Sequence, residues 1–505
     1  MFKTNSLYYT DGYKIGHGRM IAPNTDYLYG TWIPRSVKHA PKGIEKIVSA
    51  GHQLTWKWIH DEFQENFFKQ SIDDVVRFGE DMSNYLGLPF EVGQFKKLYE
   101  LGYLPIKVKA LPEGIETQPN IPHMTFINTV PGFAWLTLYL ETIVSSLAWK
   151  TSTSATLALK YRRTVTEWVM RTDPTNDWLI PFLCHDFSAR GLDPYSMLAS
   201  GLGHAMNFRG SDSLIVIPGS RYYYNVPNNV VSINSVNASE HSVSTTKIFT
   251  VGEKQMLVDW MDEFKEGILS VVMDTFDITK VAKPGDGGYC FDLKEQILSR
   301  DGKLVIRPDS GDPVEIICGH GRKELTEQEN KSFYPEFYTK GLIECLWDIF
   351  GGTINEKGYK VLDPHIGAIY GDSITTERQL EIYERLERKG FASTNIVLGV
   401  GSFTYQFNTR DTFGYAAKGA WFENGGVGFN IYKDPISDDG TKKSLKGMCS
   451  VHEQVDHNGE FLNYFVRTEC SKEQENQGLL QVIYENGEFL NETTLEEIRE
   501  CLNKL

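Results

Sequence analysis

The sequence predicts an α/β protein: an irregular (β/α) barrel with a second, largely antiparallel α+β domain formed from both chain ends. Two observations predict it. Between about residues 178 and 405, a short apolar run is repeatedly followed by a polar or Gly-containing turn and a segment of helical character. Outside that span, Asn458-Gly459 and Asn486-Gly487 each sit between apolar or aromatic runs, the local signature of a β-hairpin.

The barrel strands are placed in order by their apolar runs. Leu179-Ile180-Pro181-Phe182-Leu183 leads to His185-Asp186, Leu269 to Met273 leads to Asp274, and Leu304-Val305-Ile306 leads to Arg307-Pro308-Asp309. Ile366 to Tyr370 leads to Gly371-Asp372, and Ile396-Val397-Leu398 to Gly399-Val400-Gly401. With Asp212 and His241, the polar markers fall near the roughly 31 residues per unit of an eight-fold barrel. The wide gap between Asp309 and Asp372 implies an insertion or an unmarked unit. A doubly wound sheet would gather its functional residues at one switch point instead of after strand upon strand. The barrel is expected over residues 150–405, with 1–149 and 406–505 forming the second domain.

In the flanks, Tyr27-Leu28-Tyr29 alternates, Trp56 to Phe68 is an aromatic-rich helical stretch, and Leu104 to Thr129 is β-like and punctuated by Pro and Gly. A capping box at Thr493-Thr494-Leu495-Glu496 starts a closing helix whose Leu495, Ile498 and Leu502 share one face.

A chain of 505 residues exceeds one hydrophobic core. Its 51 Lys and Arg against 66 Asp and Glu give −15, which argues against a nucleic-acid partner and requires any phosphate site to be locally basic. No apolar run reaches the roughly 20 residues that span a bilayer, and no signal-peptide core is present, so a cytoplasmic protein is expected. The seven cysteines are scattered without a C-x-x-C pair and read as reduced and structural. No metal site is assigned to protein ligands.

The chemistry concentrates at strand ends. Arg307-Pro308-Asp309-Ser310-Gly311-Asp312-Pro313 pairs a forked donor for planar anions or amides with carboxylates suited to ribose hydroxyls; an Arg–Asp ion pair closing a strand would read the same way. Gly371-Asp372-Ser373 and Gly399-Val400-Gly401-Ser402 offer backbone N–H groups to phosphate, although each alone also fits an ordinary tight loop. Arg410, Lys418, Lys433, Lys442, Lys443 and Lys446 form a basic cluster that suits a pyrophosphate or a solvated loop. A lone histidine is usually structural, but His241 sits in a hydroxyl-rich segment at a helix start. Asp274, ending another strand, is placed to bond one ring nitrogen and leave the other nucleophilic.

His185-Asp186-Phe187 with Arg190-Gly191, Gly210-Ser211-Asp212, Glu240-His241-Ser242, Asp274 to Asp277, the Arg307 to Pro313 run and Gly371-Asp372 together resemble the nicotinamide phosphoribosyltransferases. The resemblance runs in matching order from Asp11-Gly12-Tyr13-Lys14 to Lys433-Asp434-Pro435. It implies transfer of a phosphoribosyl group from phosphoribosyl pyrophosphate to nicotinamide, with Mg²⁺ accompanying the pyrophosphate and ATP as co-substrate. It also implies a homodimer, in which Phe187 stacks on one face of the nicotinamide ring and Tyr13 of the second subunit covers the other.

By the same resemblance, Asp212 accepts from the carboxamide, Arg307 and Arg190 lie near the ring, and Asp309 holds the ribose. Gly371, Asp372, Gly401 and Ser402 take the sugar phosphate, Arg410 and Lys418 reach across the dimer, and Arg35, Lys433 and Lys442 face the pyrophosphate. His241 resembles the family's phosphorylated histidine, oriented by Asp274. A buried Asp212 would repel the carboxylate of nicotinate and pair with an amide. Two departures are Gly401-Ser402-Phe403 in a loop that is glycine-richer in the family and Ala416 where a serine is expected. The competing readings are nicotinate phosphoribosyltransferase, with acid substrate, and a non-catalytic relative that binds or signals.

Overall fold

The computed structural model describes residues 4–322, 324–371, 373–437 and 443–504. Its backbone divides into two compact units, one of residues 1–156, 219–228 and 408–505, the other of 157–218 and 229–407.

The first unit is built on a seven-stranded sheet in the order Val427–Asn430, Ala416–Asn424, Thr25–Ile33, Met124–Asn128, Ile106–Ala110, Gln481–Glu485 and Glu488–Phe489. All its pairings are antiparallel; the three strands from the N-terminal part lie side by side in the middle, flanked on each side by two from the C-terminal part. The interior strand Thr25–Ile33 is buried on both faces from Leu28 onward. Tyr29 packs with Trp421, Met448, Cys449 and Cys470, and the Thr137 hydroxyl of the helix Ala134–Tyr139 donates to the Leu28 carbonyl. A half-buried strand would alternate, so this one behaves as a core strand.

Both Asn-Gly pairs close hairpins, between Ser450–Val455 and Phe461–Arg467 and between Gln481–Glu485 and Glu488–Phe489. The capping box lies one residue later than expected, with Thr494 as cap and Glu497 returning its bond. The difference has a local cause: Thr493 is held from outside the helix, its N–H donating to Gln53 Oε1 and its carbonyl accepting from Gln53 Nε2. Leu495, Ile498 and Leu502 are buried as their spacing requires.

The second unit contains a six-stranded parallel half-barrel in the order Cys184–Asp186, Ile396–Val400, Ile366–Tyr370, Asp301–Arg307, Glu266–Val272 and Asn237–Ala238. Single parallel bridges at Asp186–Ser211 and Gly210–Asn234 carry the sheet beyond its first strand. Helix Pro313–Cys318 packs against both Leu342–Phe350 and Thr376–Arg388, and Val314, Leu346 and Ile382 are buried.

One expectation changes here, and one open alternative is decided. Residues 174–182 form a 3₁₀ segment containing Pro181, and the strand is only Cys184–Asp186; Pro181 cannot donate to a ladder, so the apolar run packs without pairing. The wide gap after Asp309 holds an insertion, with several short helices and the hairpin Gly352–Ile354 to Lys360–Leu362.

Asp186 ties the strand ends together. Its fully buried carboxylate accepts from the Ser188 N–H and from the hydroxyls of Ser211 and Ser213. Asp186→Ala would strand these donors in the interior and is expected to cost about 2–4 kcal/mol of stability, read as a lower denaturant midpoint with unchanged slope. All seven cysteines are free, and among the described residues no helix is long and apolar enough to cross a membrane.

Candidate functional site

Every strand of the half-barrel hands its next residues to the same end, where loops of this architecture carry ligand contacts. The run after Asp301–Arg307 is folded by its own sequence. Asp309 and Ser310 donate their N–H groups to Asp274 Oδ2 at 2.9 and 2.8 Å. Gly311 turns the chain at φ +92°, and its carbonyl accepts from Tyr370. Asp312 then caps the helix begun by Pro313, accepting from the Val314 and Glu315 N–H groups.

That scaffold presents Arg307 and Asp309 as a bidentate pair, Nε to Oδ1 at 3.0 Å and Nη2 to Oδ2 at 2.9 Å. Both side chains are mostly buried, at 14% and 19% exposure. The Arg307 guanidinium also lies over the Phe187 ring, 4.8 Å from its centroid. A Cβ on Gly371 would fall 2.3 Å from Asp309 Oδ1 and 2.7 Å from Arg307 Nη2, so only glycine lets the strand end approach the pair.

His241 is the first residue of the helix His241–Val251. The preceding turn is pinned by Ser239, whose N–H donates to the Ser270 carbonyl and whose hydroxyl accepts from the Val272 N–H. The imidazole is 46% exposed, with Nε2 3.6 Å from Asp274 Oδ1 and 4.0 Å from Asp309 Oδ2. The Asp274 contact is longer than a hydrogen bond. Asp274 itself is 5% exposed, and its Oδ1 is buried with no hydrogen-bond partner.

Asp212 follows the bridged segment at Ser211, its N–H donating to the Asp186 carbonyl. Its side chain is 43% exposed, which corrects the expectation of a buried carboxylate: the segment meets the sheet through single bridges, too few to cover it. His185 Nε2 and the Ser235 hydroxyl both bond to Asp212 Oδ1, the former at 3.0 Å. Partial desolvation pushes the carboxyl up, but these two hydrogen bonds and the nearby Arg307 charge outweigh it and hold the group below the usual range.

Phe187, Asp212 and Arg307 line one cavity of about 610 Å³, a size suited to a small organic ligand. Its inner wall includes Val305, Ala368, Val397 and Lys303, whose ammonium is lowered below the ordinary lysine range by burial. Nothing in the sequence marked Lys303 or Ser235, since neither occupies a position with a distinctive spacing, and His185 was marked only as the polar end of its strand, not as a partner of Asp212.

The second unit thus gathers Phe187, Asp212, His241, Asp274, Arg307, Asp309 and Gly371 at one end of its sheet. Gly401 and Ser402 follow the strand Ile396–Val400, Ser402 opening a short helix. Arg190 is exposed on the turn after Phe187, its carbonyl accepting from Gln406, and it stands outside the cavity lining. Asp372 lies outside the described residues.

Tyr13, Arg35, Arg410, Lys418 and Lys433 belong to the first unit. There Tyr13 is 68% exposed, Arg35 donates to the Gly414 carbonyl, and Arg410 pairs with its neighbour Asp411. Lys418 and Lys14 share Glu141, and Lys433 is exposed. Ala416 is buried in its strand, and Lys442 lies outside the described residues.

Residues 182–488 match the model of the nicotinate phosphoribosyltransferase family. A nicotinamide phosphoribosyltransferase of Acinetobacter baylyi is 38% identical over 519 aligned positions, covering 99% of this chain and 97% of that protein. One from Xanthomonas campestris pv. campestris is 30% identical over 502, covering 98% and 97%. Among solved structures, human nicotinic acid phosphoribosyltransferase has the same fold at a TM-score of 0.58, with 14% identity over 98% of this chain and 93% of that one. Whole-length identity to enzymes of one kind, together with a matching family model and the residues gathered at the strand ends, shows that the chain belongs to the nicotinamide phosphoribosyltransferases and is an enzyme of that family.

Proposed function

We propose that this enzyme transfers the 5-phosphoribosyl group from phosphoribosyl pyrophosphate to nicotinamide, giving nicotinamide mononucleotide and pyrophosphate, as a cytoplasmic homodimer in NAD salvage. One observation carries the reading. Arg307 lies over Phe187 with Asp212 on the wall of the same cavity, so groups suited to aromatic ring and amide line one space, and the Asp309 carboxylate suited to ribose is bonded to its Arg307. The sheet closing through its bridges as an irregular barrel is part of the same reading.

In this mechanism the pyridine nitrogen attacks ribose C1 as the bond to pyrophosphate breaks, through a transition state with oxocarbenium character. Phe187 and the partner subunit's Tyr13 hold the ring, and the high exposure of Tyr13 suits a residue offered to a second copy. Asp212 accepts from the carboxamide, with Arg307 and Arg190 near the ring and Asp309 at the ribose hydroxyls. Gly371, Asp372, Gly401 and Ser402 take the 5-phosphate, with Arg410 and Lys418 from across the dimer, while Arg35, Lys433 and Lys442 face the pyrophosphate. The work is positioning and charge neutralisation more than proton transfer.

Mg²⁺ would neutralise the leaving pyrophosphate when bound. Among the described residues no group of three ligating side chains could hold an ion by itself. An ion carried by phosphate oxygens needs only one or two carboxylates, and the unpartnered, buried Asp274 Oδ1 is a hard oxygen of that kind.

ATP enters through His241. A ring nitrogen attacks the γ-phosphorus, the bond to ADP breaks, and water later cleaves the N–P bond, so that hydrolysis drives synthesis. With Nε2 turned toward Asp274, Nδ1 is the free nucleophile. Incubation with nicotinamide and phosphoribosyl pyrophosphate is expected to yield the mononucleotide and pyrophosphate one for one, faster with ATP. No turnover of either pyridine substrate would leave the non-catalytic reading standing.

A further inference from the structure

We infer that His185 and Ser235 are positioning residues that fix the rotation of Asp212 and thereby set the preference for a carboxamide over a carboxylate. The inference rests on the nicotinamide reading of the cavity. His185, Asp212 and Ser235 come from three separate segments brought side by side by two bridges, Asp186–Ser211 and Gly210–Asn234, each residue standing next to a bridging one. Their convergence is therefore a product of the sheet and not of local sequence.

Both partners bond to the same oxygen, Oδ1. A carboxylate can only accept, so His185 Nε2 and the Ser235 hydroxyl are the donors. None of the described residues bonds to Oδ2, which leaves it as the acceptor for an incoming N–H. The imidazole is itself held: it packs against Phe187 with ring centroids 4.7 Å apart, and a Cβ on Gly210 would lie 3.0 Å from its Nδ1.

The electrostatic consequence follows from exposure. At 43% exposure Asp212 cannot reject an acid by burial, but two donors on Oδ1 keep it charged and aimed. A nicotinate carboxylate would meet that charge with no proton to share, whereas a carboxamide supplies the N–H that Oδ2 lacks.

The test compares H185F, H185Q, S235A and D212N in steady-state kinetics with nicotinamide and with nicotinate at saturating phosphoribosyl pyrophosphate. Phenylalanine keeps a ring against Phe187 and removes the donor; glutamine restores an N–H. H185F is expected to raise KM for nicotinamide roughly tenfold, the worth of one charge-assisted bond, with kcat changed less than about twofold. The nicotinamide-to-nicotinate ratio of kcat/KM falls with it. H185Q recovers most of both, and S235A shifts them in the same direction by less.

If D212N loses the preference while H185F, H185Q and S235A keep both KM and the ratio, the positioning role is overturned and the nicotinamide reading survives. Loss of kcat and KM together in H185F, with H185Q no better, also overturns it. Should H185F not fold, unchanged ratios in H185Q and S235A contradict the donor role of Ser235, and full retention of KM in a folded H185L contradicts that of His185. A wild-type enzyme without preference for nicotinamide removes the reading itself.

Discussion

Arg307→Ala is expected to lower kcat/KM for mononucleotide synthesis by roughly a thousandfold, about 4 kcal/mol of lost transition-state stabilisation. The size follows from what the guanidinium does at once. It donates two parallel bonds to Asp309 and covers the Phe187 ring, and both members of the pair are largely buried. Removing one partner of such a pair leaves an uncompensated carboxylate, which costs about 3–5 kcal/mol. Asp309 would then turn toward solvent or Asp274's neighbours, and the ribose contact would go with it. Arg307→Lys is not expected to rescue, since an ammonium cannot reproduce the fork. The double variant Arg307→Ala/Asp309→Ala should be no worse than either single one, because the two act as a unit.

The second large effect concerns energy coupling. His241→Ala should abolish stimulation by ATP while leaving an ATP-independent synthesis. Coupled sites typically exchange about 1–3 kcal/mol, so the loss should be roughly 5- to 150-fold at saturating ATP. The imidazole is half exposed at a helix start, away from the cavity lining, which is why the ring-binding step should survive. ³²P transfer from γ-labelled ATP to an alkali-stable, acid-labile site checks the same claim, and persistent labelling in the alanine variant would contradict it. Asp274→Ala should slow labelling, and it should also loosen the 307–313 loop, whose two N–H groups Asp274 holds.

Much of this site was legible because strand ends announce themselves. Asp274, Arg307, Asp309, Gly371 and Gly401 each follow an apolar run long enough to read as a strand, and the runs pair as parallel neighbours. The hairpins at Asn458-Gly459 and Asn486-Gly487 were legible for the same kind of reason, a turn that only certain residues make. What could not be read was set by contacts distant in sequence. The segment around Asp212 joins the sheet by single bridges, too short to show a period, and so its exposure and its partners His185 and Ser235 were hidden. The Pro181 run looked like a strand because apolar periodicity does not register a missing N–H. Asp312 looked like a ligand residue in a polar loop, whereas it caps the helix Pro313–Cys318.

Substrate choice follows from a charged Asp212 aimed into the cavity. The measurement is a direct competition between nicotinamide and nicotinate for the unmodified enzyme, read as the ratio of kcat/KM with phosphoribosyl pyrophosphate and ATP present. A preference for nicotinamide of at least roughly a hundredfold is expected. Equal use of both, or preference for nicotinate, would contradict it.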